Sequence, residues 1–153
     1  MTFPDGSPDE IELFLRWLAF LRGAVLRKAS GITDEQARWR PDGKLLHLVG
    51  IVNHLTGVEA RWIDREMLGE TVGKPADEYD PPGLTITDAI AAYRARASAT
   101  DATVRSIGDL TAPSNYGHDT DPRFVLIHLI NETARHAGHA DAVRELLDGT
   151  VGE

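Results

Sequence analysis

The sequence predicts an all-α protein, arranged as a four-helix bundle. Four long segments carry apolar residues at intervals of three and four, the spacing of a helix with one buried face. Stretches that contain glycine and proline separate these segments, and no segment shows the strict alternation typical of a half-buried strand. The chain has 153 residues, the length of one domain, so we expect residues 1–153 to form a single domain.

Composition and charge exclude several classes of protein. The net charge of -8 is unsuited to nucleic acid, whose phosphates require a basic surface. No apolar run approaches the roughly 18 to 20 residues of a membrane span. The first ten residues lack the basic and apolar regions of a secretory signal, so a cytoplasmic protein is expected. Because the chain has no cysteine, any metal ion would be bound by His, Asp or Glu.

The first two helices have recognisable start and stop signals. The first is expected over about 8–28, with Ser7 as its cap and a proline as its first residue. Residues 33–36 of the connector resemble a capped turn of helix. The second helix is expected over about 44–68 and ends at a glycine. Its inward stripe consists of His47, Ile51, His54 and Val58.

The third and fourth helices follow two loops, 70–84 and 111–120, whose length makes them candidates for substrate contacts. Thr87 is expected to cap the third helix, which Gly108 closes. Asp121 is expected to cap the fourth, which begins with a proline and ends at 148–149. One face of this last helix contains Val125, Leu129, Glu132, His136, His139, Val143 and Leu146.

The acid and imidazole groups on this apolar face are the main indication of a functional site. Buried polar groups are costly unless something compensates them, and a metal ion would do so. Glu132 and His136 are four residues apart and can reach one point beside the helix. His54 is the natural third ligand, and three protein ligands with open positions are typical of a catalytic centre. His139 would be a fourth ligand or would hydrogen-bond to one.

A second interpretation is equally compatible with the periodicity. Glu132 and His136 could form a buried ion pair within an internal polar network, without any metal. Among the other histidines, His47 is expected to line a pocket or lie at the surface, and His128 to have a packing role. His118 is expected to be solvated in its loop. The aromatic residues interpreted as core are Trp39, Trp62 and Tyr93, with Trp62 alternatively at the border of a cavity.

Two segments carry a resemblance to a known family. VNHLTGVEARW around His54 and ETARHAGHAD at 132–141 resemble the DinB-like superfamily, in particular an actinobacterial branch that is similar to mycothiol S-transferases. The resemblance covers nearly the whole chain and implies a four-helix bundle with a divalent metal. Position by position, it implies His54 and His136 as ligands. Glu132 replaces the usual first histidine of the last helix, as in mycothiol-dependent maleylpyruvate isomerases.

The same resemblance implies a function. Mycothiol would serve as thiol cosubstrate, and a small electrophile would be conjugated to it or isomerised with its help. The metal set would be His54, Glu132 and His136, with His139 added or substituting where the family has glutamine. His139 and His47 would orient ligands or handle protons. Zinc is the preferred ion and nickel an alternative.

Two further possibilities stay open at the level of sequence. One is a DinB-like stress protein that binds a metal or small ligand without turnover. The other is a homodimer formed through the outer faces of the helices.

Overall fold

The computed structural model describes residues 3–113 and 120–152, and these contain five α-helices and no strand. The predicted all-α class is therefore confirmed. Helix α1 (Glu10–Ala29) packs along α5 (Pro122–Asp148), and α3 (Leu48–Ala60) packs along α4 (Ile86–Ile107). The short α2 (Asp34–Ala37) lies in the first connector. Helix α3 continues without interruption as a π-helical segment, Arg61–Met67. The four long helices form the expected DinB-like bundle.

Two helix starts differ from the sequence prediction because a better cap lies nearby. Helix α1 is capped by Asp9, whose carboxylate accepts a hydrogen bond from the backbone N–H of Glu12, and not by Ser7. Helix α4 is capped by Thr85, two residues before the predicted Thr87. In both cases the side chain bonds the N–H three residues on, as in a capping box. This spacing is visible in the sequence and could have located both starts.

The connector turn and the end of the last helix agree with the prediction. Thr33 and Gln36 form a complete capping box at the start of α2. Asp121 caps α5, and Gly149 ends it in the left-handed conformation that favours glycine. Two apolar residues lie outside the core, against expectation: Leu146 is 60% exposed and Trp39 is 38% exposed. Leu146 belongs to the last turn of α5, where it lies on the side of the helix that faces solvent.

The buried apolar residues form two clusters, one toward each end of the bundle. On α1, α4 and α5 a buried polar residue (Arg22, Thr100 and Thr133) lies between the two clusters. The main polar contact there joins Arg22 of α1 to Glu59 of α3 through two hydrogen bonds of 2.8 and 2.7 Å. Arg22 also donates to Asp101 of α4 at 2.7 Å. A buried charged layer therefore crosses the middle of the bundle. None of the described helices combines the length and apolarity that crossing a bilayer requires.

Candidate metal centre

His54, Glu132 and His136 lie together on the inside of the bundle. Each offers one ligand atom, and the three atoms lie within 4.8 Å of one another. The ring centroids of His54 and His136 are 4.8 Å apart. This separation is small enough for modest side-chain rotations to place all three atoms on one ion with bonds near ~2 Å. The predicted convergence of two helices on one point is thus present in the geometry.

Local sequence explains how the three side chains reach the same point. His54 lies in the fully buried stripe of α3, between Ile51 and Val58. Glu132 and His136 are one helical turn apart on α5, so their side chains project in the same direction. The Nε2 of His136 is 3.6 Å from a carboxylate oxygen of Glu132. This is longer than an ordinary hydrogen bond, so the two groups face each other without being joined.

Glu78 fixes the orientation of His54, and sequence reasoning missed it. Its side chain is 2% exposed, and its Oε1 lies 2.5 Å from Nδ1 of His54. Because a carboxylate can only accept, Nδ1 of His54 carries a proton and donates it to Glu78, and Nε2 is the nitrogen that this bond does not engage. A histidine that binds metal through one nitrogen usually donates the other N–H to such a carboxylate. The sequence marks 70–84 as a functional loop, but nothing in it shows that this one acid is buried.

Glu78 is itself held by several contacts. Arg61 donates hydrogen bonds to both of its carboxylate oxygens, and Asn53 donates to its backbone carbonyl at 2.8 Å. Burial alone would raise the pKa of Glu78, but the hydrogen bonds from Arg61 and His54 outweigh it and hold this pKa below its ordinary value. Glu78 is therefore a carboxylate at neutral pH, and it is a firm acceptor for His54.

The imidazole of His136 lacks hydrogen bonds within the described part of the chain. Its Nδ1 is buried without a partner, and its Nε2 is beyond hydrogen-bond distance of Glu132. Burial, and next the neighbouring His54, lower the pKa of His136 to about 4, although the charge of Glu132 opposes the shift. A neutral imidazole with unused nitrogens is the form that can bind a metal ion.

His139 lies one turn beyond His136, and their ring centroids are 6.1 Å apart. Its Nε2 is also buried without a hydrogen-bond partner among the described residues, and burial lowers its pKa. The group of mutually close ligand atoms does not include it. His139 is therefore adjacent to the candidate centre, where the predicted supporting role stays a prediction.

His47 occupies a structural position at the start of α3. It is the N-cap of that helix, and its Nδ1 accepts a hydrogen bond from the backbone N–H of Gly50. Its Nε2 lies 3.0 Å from Asp80. The helix consequently starts at Leu48 and not near residue 44. His47 is buried rather than at the surface. Both of its ring nitrogens already take part in hydrogen bonds, so neither is free for the predicted part in catalysis.

A cavity of about 430 Å³ opens beside the three candidate ligands. Besides them, its lining includes Val58, Arg61, Trp62, Tyr79, His128 and Arg135. Trp62 packs against the apolar cluster at this end of the bundle and also borders the cavity, so both placings apply, whereas Tyr93 is fully buried in the core. His128 packs against Trp62, as its predicted packing role requires, but it also lines the cavity. His118 lies outside the described residues.

Comparisons with known proteins identify a similar fold and a family. The chain resembles in fold a crystal structure of a conserved protein from Enterococcus faecalis, with a TM-score of 0.61 at 13% identity, covering 94% of this chain and 100% of that one. At this identity the likeness concerns the fold alone. No match is found among the curated proteins. The family model described as mycothiol-S-transferase matches residues 13–149, which include all three candidate ligands. The chain therefore belongs to the mycothiol S-transferase family.

Proposed function

We propose that this protein is a divalent-metal-dependent mycothiol S-transferase that joins the thiol to a small electrophile or uses it to isomerise one. The observation that carries the proposal is the grouping of His54, Glu132 and His136 at the wall of a cavity. Family membership supplies the thiol. The chain has no cysteine of its own, so the reactive sulfur would come from the cosubstrate.

The residues present fit a divalent ion. Two imidazoles and one carboxylate are the donor set that zinc accepts in catalytic sites. The buried Nδ1 of His136 has no hydrogen-bond partner among the described residues, and the carboxylate that orients His54 is the partner that a metal-binding histidine usually has. When bound, such an ion lowers the pKa of a coordinated thiol and so favours the reactive thiolate at neutral pH. Zinc is the preferred ion, and nickel would suit the same donors.

The chain's own groups would divide the remaining tasks. Glu78 would hold His54 in one tautomer and one orientation through its carboxylate. His139, close to His136 but outside the ligand group, would hold or accept a proton near the centre.

The proposal is tested by following mycothiol consumption with a bimane or a chloronitrobenzene as electrophile. Untagged protein should form the thioether, and metal-stripped protein and His54→Ala should not exceed the uncatalysed rate. Glu132→Gln should also lose most activity, whereas Glu145→Gln, an exposed control on the same helix, should behave as wild type. Metal-bound protein that consumes no thiol would overturn the transferase proposal in favour of a non-catalytic metal-binding bundle.

A further inference from the structure

One wall of the cavity is aromatic. The rings of Trp62 and His128 face each other with centroids 4.0 Å apart and an angle of 37° between their planes. Both residues line the cavity that holds the candidate ligands. Phe124 extends the row outward, 6.0 Å from Trp62, and is 50% exposed. A strip of flat rings therefore leads from the protein surface to the candidate metal centre.

Of the rings in this strip, Trp62 also packs against the apolar cluster at this end of the bundle, whereas Phe124 is half exposed. The buried face of α5 at the same level is occupied by Val125, Leu126 and Leu129, each at most 1% exposed. Phe124 lies with Ile127 on the outer side of the helix, and Ile127 is 49% exposed. Exposed aromatic surface next to a cavity is typical of a ligand-binding wall rather than of packing.

The charged members of the lining are already paired. Arg61 donates to the carboxylate of Glu78, and Arg135 lies 3.7 Å from the carboxylate of Glu132. Arg61 is thus neutralised by Glu78, and the side chain of Arg135 is 75% exposed to solvent, so neither places a buried free charge on the wall formed by Trp62 and His128. An uncharged molecule suits this wall better, because nothing polar has to be desolvated without a partner.

We infer that Trp62 and His128 form the binding surface for the electrophile, and that this electrophile is an uncharged, planar, electron-poor aromatic compound. The inference rests on the proposed function. The faces that the two rings turn to each other are already in contact, so an electron-poor ring would pack, offset or edge to face, against the parts of the rings that line the cavity. With a halogenated nitroarene, the thiol sulfur would form a bond to the ring carbon that carries the halogen. The carbon–halogen bond would break, the halide would leave with the bonding electrons, and the thiol proton would pass to solvent.

The first experiment measures binding without catalysis. Equilibrium dialysis of metal-free protein against dinitrotoluene, an unreactive planar nitroarene, should show binding that falls by about 5- to 10-fold in Trp62→Leu. His128→Leu should show a loss in the same direction, and Trp62→Phe should retain most of the affinity. Trp17→Leu is the matched control, since Trp17 packs with Phe3 and Phe20 away from the cavity. Circular dichroism of each variant establishes that it is folded.

The second experiment compares two electrophiles with mycothiol. The ratio of rates for chlorodinitrobenzene and iodoacetamide should fall by about 5- to 10-fold in Trp62→Leu, while Trp17→Leu and Trp62→Phe should keep it. Absence of dinitrotoluene binding in wild type, or unchanged binding and an unchanged ratio in Trp62→Leu, would overturn the inference. If wild type binds dinitrotoluene through Trp62 but consumes neither electrophile, the aromatic surface stands and the transferase function fails.

Discussion

At the scale of single residues, Glu78 determines whether His54 presents a defined nitrogen to the cavity. It is a loop residue whose carboxylate is almost fully buried against His54 and Arg61. Replacing it by glutamine keeps the volume but removes the charge that holds the Nδ1 proton of His54. The same substitution leaves Arg61 with a weaker partner. We therefore expect this substitution to lower the affinity for zinc more than it lowers the free energy of unfolding.

Glu78→Gln should weaken zinc binding by about 10- to 100-fold, the usual cost of losing an outer carboxylate. The measurement is a competition titration with a chromogenic chelator at pH 7. Asp77→Asn is the matched control, because Asp77 is an exposed neighbour on the same loop. Equal zinc affinity in Glu78→Gln and wild type would show that Glu78 does not act through His54.

His136 should make the metal-free protein less stable in acid. Its pKa is about 4 in the folded state against 6.5 for the free side chain, so between these values the unfolded chain binds a proton that the folded chain does not. Stability is therefore lost as pH falls from about 6.5 to about 4, by up to about 3 kcal/mol. Urea denaturation of EDTA-treated protein at several pH values measures this loss.

The comparison variant is His136→Asn, which cannot titrate. The other buried histidines are present in both proteins, so the difference between the two pH profiles isolates His136. Above about pH 7, the free energies of unfolding of the two proteins should change with pH in parallel. Below about pH 7, the wild type should lose stability faster than His136→Asn. Parallel profiles across the whole range would contradict a depressed pKa at this residue.

The three candidate ligands could be predicted from sequence because they obey helical periodicity. His54 lies in an apolar stripe, and Glu132 and His136 are one turn apart. The helix face on which each of them lies therefore follows from the spacing alone. Glu78 could not be predicted in this way, because its burial depends on the path of a loop across α3. The start of α3 could not be predicted either. Histidine is not among the usual capping residues, so the sequence gives no sign that His47 is the N-cap and that the helix begins after it.

At the scale of elements, the 70–84 loop and α3 fit each other through two glycines of the helix. A Cβ on Gly50 would lie 2.3 Å from the backbone oxygen of Tyr79, and one on Gly57 would lie 3.0 Å from a carboxylate oxygen of Glu78. The loop that carries Glu78 can therefore approach the helix only because these side chains are absent.

Gly50→Ala should destabilise the protein by about 1 to 3 kcal/mol, because the loop has to move away from the helix. It should weaken zinc binding as well, since Glu78 moves with the loop. Gly138→Ala is the contrasting variant on α5, where an added Cβ meets no atom within 4 Å. That change should raise stability by up to about 1 kcal/mol through helix propensity. Chemical denaturation measures the free energy of unfolding of both variants. Equal changes in Gly50→Ala and Gly138→Ala would contradict a close contact between the loop and α3 at Gly50.

The π-helical continuation of α3 was not visible in the apolar pattern. Residues 61–67 follow the same three-and-four spacing as the α-helical part, so the sequence predicts one uniform helix. Within this segment, Arg61 faces Glu78 and Trp62 faces the cavity. Such π-helical turns often occur at functional sites, and here the segment carries two of the residues that surround the candidate centre.

At the scale of the whole molecule, the buried charged layer separates two apolar clusters. Arg22 is 4% exposed and Glu59 is 1% exposed, so neither charge is compensated by water. Such a pair adds little net stability, but removing one partner leaves the other buried alone. The layer favours one alignment of the helices, since a shifted helix would break several hydrogen bonds together.

Glu59→Ala should therefore cost about 3 kcal/mol or more of unfolding free energy. The double variant Arg22→Met, Glu59→Leu should recover most of that loss, because no unpaired charge is left. Guanidinium denaturation of the wild type and of both variants measures the two changes. A loss below about 1 kcal/mol in Glu59→Ala would show that the pair is not an essential part of the core.

The central claim is that three side chains from α3 and α5 bind one divalent ion. Its most direct test is the metal content of untagged protein after dialysis against zinc, measured by elemental analysis for the wild type and for His54→Ala. We expect about one zinc ion per wild-type chain and a large loss in His54→Ala, with Glu145→Gln unchanged. Wild-type protein free of metal, or His54→Ala that retains the full amount, would contradict the claim.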